Sequence, residues 1–152
     1  METSQDSGLS VPEIDALRRL ARVLIPPDAG LVMPGADDPA ILADLLATLG
    51  RDRARVRAAL GALLAAGFAA AGPADAEALA LSRMAAAGAE TATLGRVILQ
   101  CYYRDPRVLR ALGQDPRPPF PGGHVLEQGD WSLLDPVRAR DPFWRDDRAG
   151  AA

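Results

Sequence analysis

Apolar residues recur three or four positions apart through most of the first two-thirds of the chain, which is the spacing of one face of an α-helix. The first such pattern predicts a helix over Val11–Leu24. Ser10 and Glu13 have the spacing of a capping box at its start, and Pro26 stops it because proline cannot continue the hydrogen-bond ladder. Residues 1–9 are polar, and we expect them to be disordered.

The next two helices also carry start signals. Asp38 followed by Pro39 predicts an N-cap and a first helical residue, and this second helix should end at Gly50. Asp52 is the predicted cap of a third helix. The residues predicted to face inward in that helix are Val56, Leu60, Leu63, Leu64 and Phe68.

Three more helices follow before the pattern ends. Asp75 is the predicted cap of the fourth, whose apolar positions are Leu79, Leu81 and Met84. Thr91 or Thr93 opens the fifth, and Asp105-Pro106 opens a short sixth helix closed by Gly113. Since no stretch alternates convincingly between apolar and polar residues, we predict an all-α fold: a small bundle of five to six short helices over residues 10–113.

From Gln114 onward the helical periodicity is lost and prolines are frequent, yet the last quarter of the chain holds four of the seven aromatic residues. They are Phe120, Trp131, Phe143 and Trp144. Structureless segments beyond about 12 to 15 residues are uncommon in compact domains unless they have a role, and segments too polar to order themselves are normally poor in aromatics. We therefore predict a long, irregular, Pro-rich C-terminal arm over residues 114–152 that lies on another surface.

Ordering this arm costs on the order of 40 to 80 kcal/mol of backbone entropy, whereas burying one Trp or Phe returns about 4 to 6 kcal/mol. The four aromatics alone therefore cannot hold it. Either the arm packs along its own helices with many local turns, or it lies in a groove of a second protein, where Trp and Arg are typical anchors. We favour the second protein, because a small helical domain offers little free apolar surface.

Composition narrows the classes of function. A net charge of -3 and a pI near 5.1 argue against a nucleic-acid binder, which normally carries a basic face. No apolar run approaches the roughly 20 residues of a membrane span. Arg18-Arg19 lies within the first predicted helix and no apolar region with a cleavage site follows it, so it does not read as an export signal, and we expect a cytoplasmic protein.

Catalytic constellations are not evident. The single histidine, His124, follows a Gly-Gly pair, and the single cysteine, Cys101, lies in a predicted apolar helix. Metal sites need three or four convergent ligands, so we expect no metal, cofactor or catalytic residue in this chain. The alternatives are a free-standing enzyme or ligand-binding domain that uses His124, Asp130 and the Tyr102-Tyr103 pair, or a self-associating structural protein.

Several helix-boundary motifs together carry a family resemblance. They are Ile25-Pro26-Pro27, Met33-Pro34-Gly35-Ala36, the run from Tyr102 to Val108, Leu112-Gly113, and Pro119-Phe120-Pro121-Gly122-Gly123. With the succession of short helices, they make nearly the whole chain resemble the gluconate 2-dehydrogenase subunit 3 family. Members of that family are small subunits of flavin-dependent sugar and alcohol dehydrogenases.

The resemblance implies a partner. The large subunit in such complexes is an oxidoreductase of the glucose–methanol–choline type that holds FAD and the catalytic residues, while the small subunit assists its maturation. In exported complexes a twin-arginine signal on the small subunit carries both chains across the membrane. Because no such signal precedes Ser10, we expect a cytoplasmic complex, through which an electron-transfer protein would be reached.

The same resemblance implies an interface but no catalytic residue to carry over. The segment Gly129–Arg138 would be part of that interface, with Trp131 and Trp144 as its anchors. The predicted partner-binding residues are Tyr102, Tyr103, Arg104, Phe120, His124, Trp131, Leu133, Leu134, Arg138, Phe143 and Trp144.

Overall fold

The computed structural model describes residues 8–86, 88–118, 123 and 128–141. Within these ranges the chain is helical and has no strand, which confirms the all-α prediction. The helices are α1 (Val11–Leu24), α2 (Pro39–Thr48), α3 (Arg53–Ala65), α4 (Pro73–Ala85), α5 (Ala89–Arg104), α6 (Pro106–Ala111) and α7 (Asp135–Arg138). Short 3₁₀ helices, Gly50–Asp52 and Trp131–Leu134, precede α3 and α7.

The chain divides into two compact units on either side of the Arg117–Pro118 bond. The first unit contains α1 to α6, and α5 is its central helix, since it packs against α2, α3, α4 and α6. Helix α1 closes the bundle against α3 and α4. The second unit contains the 3₁₀ helix Trp131–Leu134 and α7.

Three helix starts follow the predicted cap chemistry. The Glu13 carboxylate accepts hydrogen bonds from the amide and the hydroxyl of Ser10, at 2.6 and 2.8 Å, at the start of α1. Asp38 and Asp105 each accept a hydrogen bond from the amide two residues later, at 2.9 and 2.8 Å. These carboxylates satisfy amides that have no partner inside their helix, which is why the boundaries of α1, α2 and α6 were readable from sequence.

Helix α3 begins directly after Asp52 as predicted but lacks the predicted cap hydrogen bond, and two other predicted starts were wrong. Asp52 does not cap α3; its carboxylate pairs with Arg96 at 2.8 Å, and a 3₁₀ turn leads into the helix instead. Helix α4 begins two residues before Asp75, because a proline with a suitable fixed φ occupies its first position. Helix α5 begins before both Thr91 and Thr93, after an extended glycine.

The inward face of α4 also differs from the prediction. Its fully buried residues are Ala76 and Ala80, the predicted Leu79 and Met84 pack partly buried against the core, and Leu81 is 54% exposed. Gly95 lets α5 lie close to α4, because a Cβ at that position would stand only 2.7 Å from the Met84 methyl group. The prediction followed the largest apolar side chains, but helices that approach closely bury their smallest ones.

The remaining core follows the predicted spacing more closely. In α3 the inward residues are Val56, Leu60 and Leu63, while Phe68 is fully buried beyond the end of the helix. None of the described helices is both long and apolar enough to cross a bilayer.

Candidate functional site

The most exposed apolar surface of the second unit is a short helical stretch. We call the side chains of Trp131, Leu133, Leu134 and Val137 the apolar segment. The 3₁₀ helix that carries the first three runs directly into α7, which carries the fourth. Because residues three or four apart share one side of a helical turn, Trp131, Leu134 and Val137 project in related directions.

Local hydrogen bonds fix the start of this stretch. The Asp130 carboxylate accepts from the amide and the hydroxyl of Ser132, at 3.0 and 2.6 Å, and these bonds lower the pKa of Asp130. The Trp131 indole N–H donates to the side-chain oxygen of Gln128, which precedes the 3₁₀ helix, at 3.3 Å. The helical turn is therefore stabilised by its own polar groups.

The apolar groups themselves remain in solvent. Trp131 is 61% exposed and Leu133 is 74% exposed. Every other residue from 128 to 141 is exposed to solvent as well. Charged groups border them: Arg138 pairs with Asp135 at 3.1 Å. An apolar centre with a polar border is the arrangement of a protein–protein contact surface.

The predicted partner-binding residues of the first unit are not equivalent. Tyr102 is only 2% exposed in the core, and burial raises the pKa of its hydroxyl. Tyr103 meets it edge-on, with ring centroids 5.2 Å apart, and is half exposed. Arg104 donates from Nε to Asp44 at 3.0 Å. Tyr103 and Arg104 are therefore accessible to a partner at the surface, whereas Tyr102 is a core residue beneath the Tyr103 ring.

Four predicted residues lie outside the described part of the chain: Phe120, His124, Phe143 and Trp144. Their role in partner binding stays a prediction. The structure thus places Trp131, Leu133, Leu134 and Arg138 together on one short stretch.

The free thiol of Cys101 is buried, and that burial raises its pKa. Its sulfur lies 3.7 Å from the Thr48 hydroxyl and accepts a hydrogen bond from Arg104 at 3.5 Å. A protonated, enclosed thiol is a poor nucleophile. Within the described ranges, no three His, Cys, Asp or Glu residues are grouped so that they could hold a metal ion.

Sequence reasoning missed one exposed apolar feature in the first unit. In the connection between α1 and α2, Met33 packs against the core, whereas Leu31 and Val32 project into solvent. An available signal was Asp28 two residues before Gly30, which is typical of an Asx-turn that reverses the chain.

The described surface is suited to contact with another apolar surface. No family model, curated protein or solved structure matches this chain. The family suggested by the sequence motifs therefore stays a prediction, and the functional argument rests on the apolar segment.

Proposed function

We propose that this chain is a non-catalytic accessory subunit that binds, stabilises and helps to mature an FAD-dependent dehydrogenase of the glucose–methanol–choline type. The observation that carries the proposal is the apolar segment, whose four large side chains stand in solvent on a turn ordered by its own hydrogen bonds. A surface that is both apolar and already ordered loses little entropy when a partner covers it.

The energetics favour such a partner. Burying one Trp side chain returns about 4 to 6 kcal/mol, and burying each Leu or Val returns about 1.5 to 3 kcal/mol. Trp131 therefore has the size of a binding hot spot, with the neighbouring leucines excluding water around it. These side chains contribute most when a partner removes them from water.

The identity of the partner is supported by the sequence resemblance to gluconate 2-dehydrogenase subunit 3. That resemblance assigns FAD and the catalytic residues to the large subunit and gives the small subunit a stabilising role. The resemblance and the exposed apolar segment support the same type of function, because each indicates a chain that acts through contact with another protein.

The test is co-expression with an FAD-dependent dehydrogenase of the glucose–methanol–choline type from the same organism. We expect the flavoprotein to co-purify with the full chain and to carry more FAD per polypeptide than when it is expressed alone. The comparison chain ends at Arg117, and its thermal unfolding is measured first to establish that the helical unit still folds. Equal co-purification and equal FAD content with the shortened chain would contradict a binding role for the second unit.

A further inference from the structure

The connection between α1 and α2 contains a tightly closed loop over residues 28–33, which we call the tip loop. The amides of Asp28 and Met33 donate to each other's carbonyls at 3.0 and 2.9 Å. Inside the loop, Asp28 Oδ1 accepts from the amides of Gly30 and Leu31, at 2.8 and 3.1 Å. The Val32 amide also donates to the Ala29 carbonyl at 3.4 Å, so five hydrogen bonds over six residues give the tip loop a defined conformation.

The residues that follow the tip loop are also held. The Ala36 amide donates to the Ile25 carbonyl at 2.9 Å, and Asp37 pairs with Arg22 of α1 at 3.0 Å. Met33 packs against the hydrophobic core. The loop is therefore presented from a fixed base on the helical unit.

Two apolar side chains occupy the far end of this loop. Leu31 is 62% exposed, and Val32 is 83% exposed. Val32 also has a φ of 54°, a left-handed conformation that β-branched residues rarely adopt. A strained, nearly bare valine on an otherwise well-bonded loop is the kind of outlier from which a functional role is inferred.

The charge around the tip loop limits what can cover it. Among the described residues no cation pairs with Asp28. Arg107 lines the same shallow depression as Asp28, but it is shared between Asp38 and Asp105 at 2.7 and 2.8 Å. Two carboxylates are therefore bonded to one guanidinium, and Asp28 adds a third carboxylate to the same depression. This excess of negative charge opposes an anionic lipid surface and favours a protein surface edged by Arg or Lys.

We infer that the tip loop inserts Leu31 and Val32 into an apolar socket, edged by Arg or Lys, on the dehydrogenase that the apolar segment also binds. The inference rests on the proposed function and adds a second anchor to it. Two anchors on one chain raise the effective concentration of each for its own site, so that both contribute to the overall affinity.

The test is a titration of the purified dehydrogenase that co-purifies with this chain, with four versions of the full chain. They are the unchanged chain, Leu31→Ser, Val32→Gly and the control Leu81→Ser, which removes a leucine of α4 that is 54% exposed, against 62% for Leu31. We expect each tip-loop variant to weaken binding about tenfold or more, since burying one such side chain is worth at least that factor. Leu81→Ser should stay within about twofold.

Thermal unfolding separates loss of binding from loss of folding. Glycine fits a φ of 54° without strain, so Val32→Gly should melt at or above the temperature of the unchanged chain although it binds less well. A variant that binds worse and is also more stable identifies a side chain retained for contact.

Each other outcome is decisive. Equal affinity for the unchanged chain and both tip-loop variants overturns this inference and leaves the proposed function intact. An unchanged chain that does not bind the dehydrogenase overturns both. Sedimentation with phosphatidylserine–phosphatidylcholine vesicles that is lost in Leu31→Ser would assign the tip loop to a membrane and overturn the inference as well.

Discussion

Arg19 shows how one side chain can hold an irregular connection. Its guanidinium donates to the carbonyls of Phe68 and Ala69, at 2.7 and 3.0 Å, and also to that of Ala71. It also stands 5.2 Å from the centre of the Phe68 ring. These contacts satisfy carbonyls after the end of α3 and explain how Phe68 is buried outside a helix.

Replacing Arg19 by Ala should lower the free energy of unfolding by about 2 to 4 kcal/mol, because several charge-assisted hydrogen bonds to part-buried carbonyls are lost together. Arg18→Ala is the matched control, since the Arg18 side chain is exposed and forms only a 3.8 Å contact with Asp15. Urea unfolding measures both variants. If Arg18→Ala lowers the free energy of unfolding as much as Arg19→Ala does, the carbonyl contacts of Arg19 are not the cause of its effect.

Arg107 is a second residue whose role is measurable, through pH. Its hydrogen bonds to Asp38 and Asp105 hold the pKa of both carboxyls below the ordinary aspartate value of 3.8. A carboxylate whose folded pKa is lowered stabilises the fold above its unfolded pKa, and that contribution is lost as the pH falls through the folded pKa. The ion pairs therefore stabilise the protein at neutral pH, and their contribution declines progressively as the pH falls below about 4 toward the lowered folded pKa values.

Arg107→Met should cost about 1 kcal/mol at neutral pH, since the guanidinium is partly exposed and screened by solvent. The difference from the unchanged chain should shrink as the pH is lowered below about 4. Arg110→Met, on the same helix, is the control and should show no such change. Chemical unfolding at several pH values gives the result, and a difference that grows in acid would contradict the assignment.

At the scale of the elements, helix starts were predictable where a side chain must satisfy free amides. Asp38 and Asp105 have that function, so α2 and α6 began where expected. The inward face of α4 was misread because the residues that it buries fully, Ala76 and Ala80, give no strong signal in an alanine-rich chain. Spacing alone does not reveal how closely two helices approach.

Two glycines in and after α3 test the role of backbone conformation. Gly61 lies inside the helix, and Gly67 follows its end with a φ of 84°; a Cβ at either would meet no atom within 4 Å. Gly61→Ala should therefore raise the free energy of unfolding by about 0.5 to 1 kcal/mol. Gly67→Ala should lower it by about 1 kcal/mol because alanine is strained there. Thermal and urea unfolding check both, and changes of the same sign would contradict the helix boundary.

At the scale of the whole molecule, the candidate site was only partly predictable. Trp131, Leu133 and Leu134 were identified because large apolar residues are unusual in a Pro-rich segment. Tyr102 was included with Tyr103 because adjacent aromatics look alike in sequence, although their successive positions on α5 place one in the core and one at the surface. Leu31 was missed because its exposure depends on loop hydrogen bonds rather than on a periodic pattern.

The central claim is that the apolar segment binds a flavin dehydrogenase, and calorimetric titration of that enzyme with point variants of the full chain tests it most directly. Trp131→Ala combined with Leu134→Ala should weaken binding by about a hundredfold or more, because a buried Trp is typically worth over 2 kcal/mol. Leu99→Ala, an exposed leucine of α5, should bind as the unchanged chain does. An unchanged affinity in the double variant, with the chain still folded, would contradict the account.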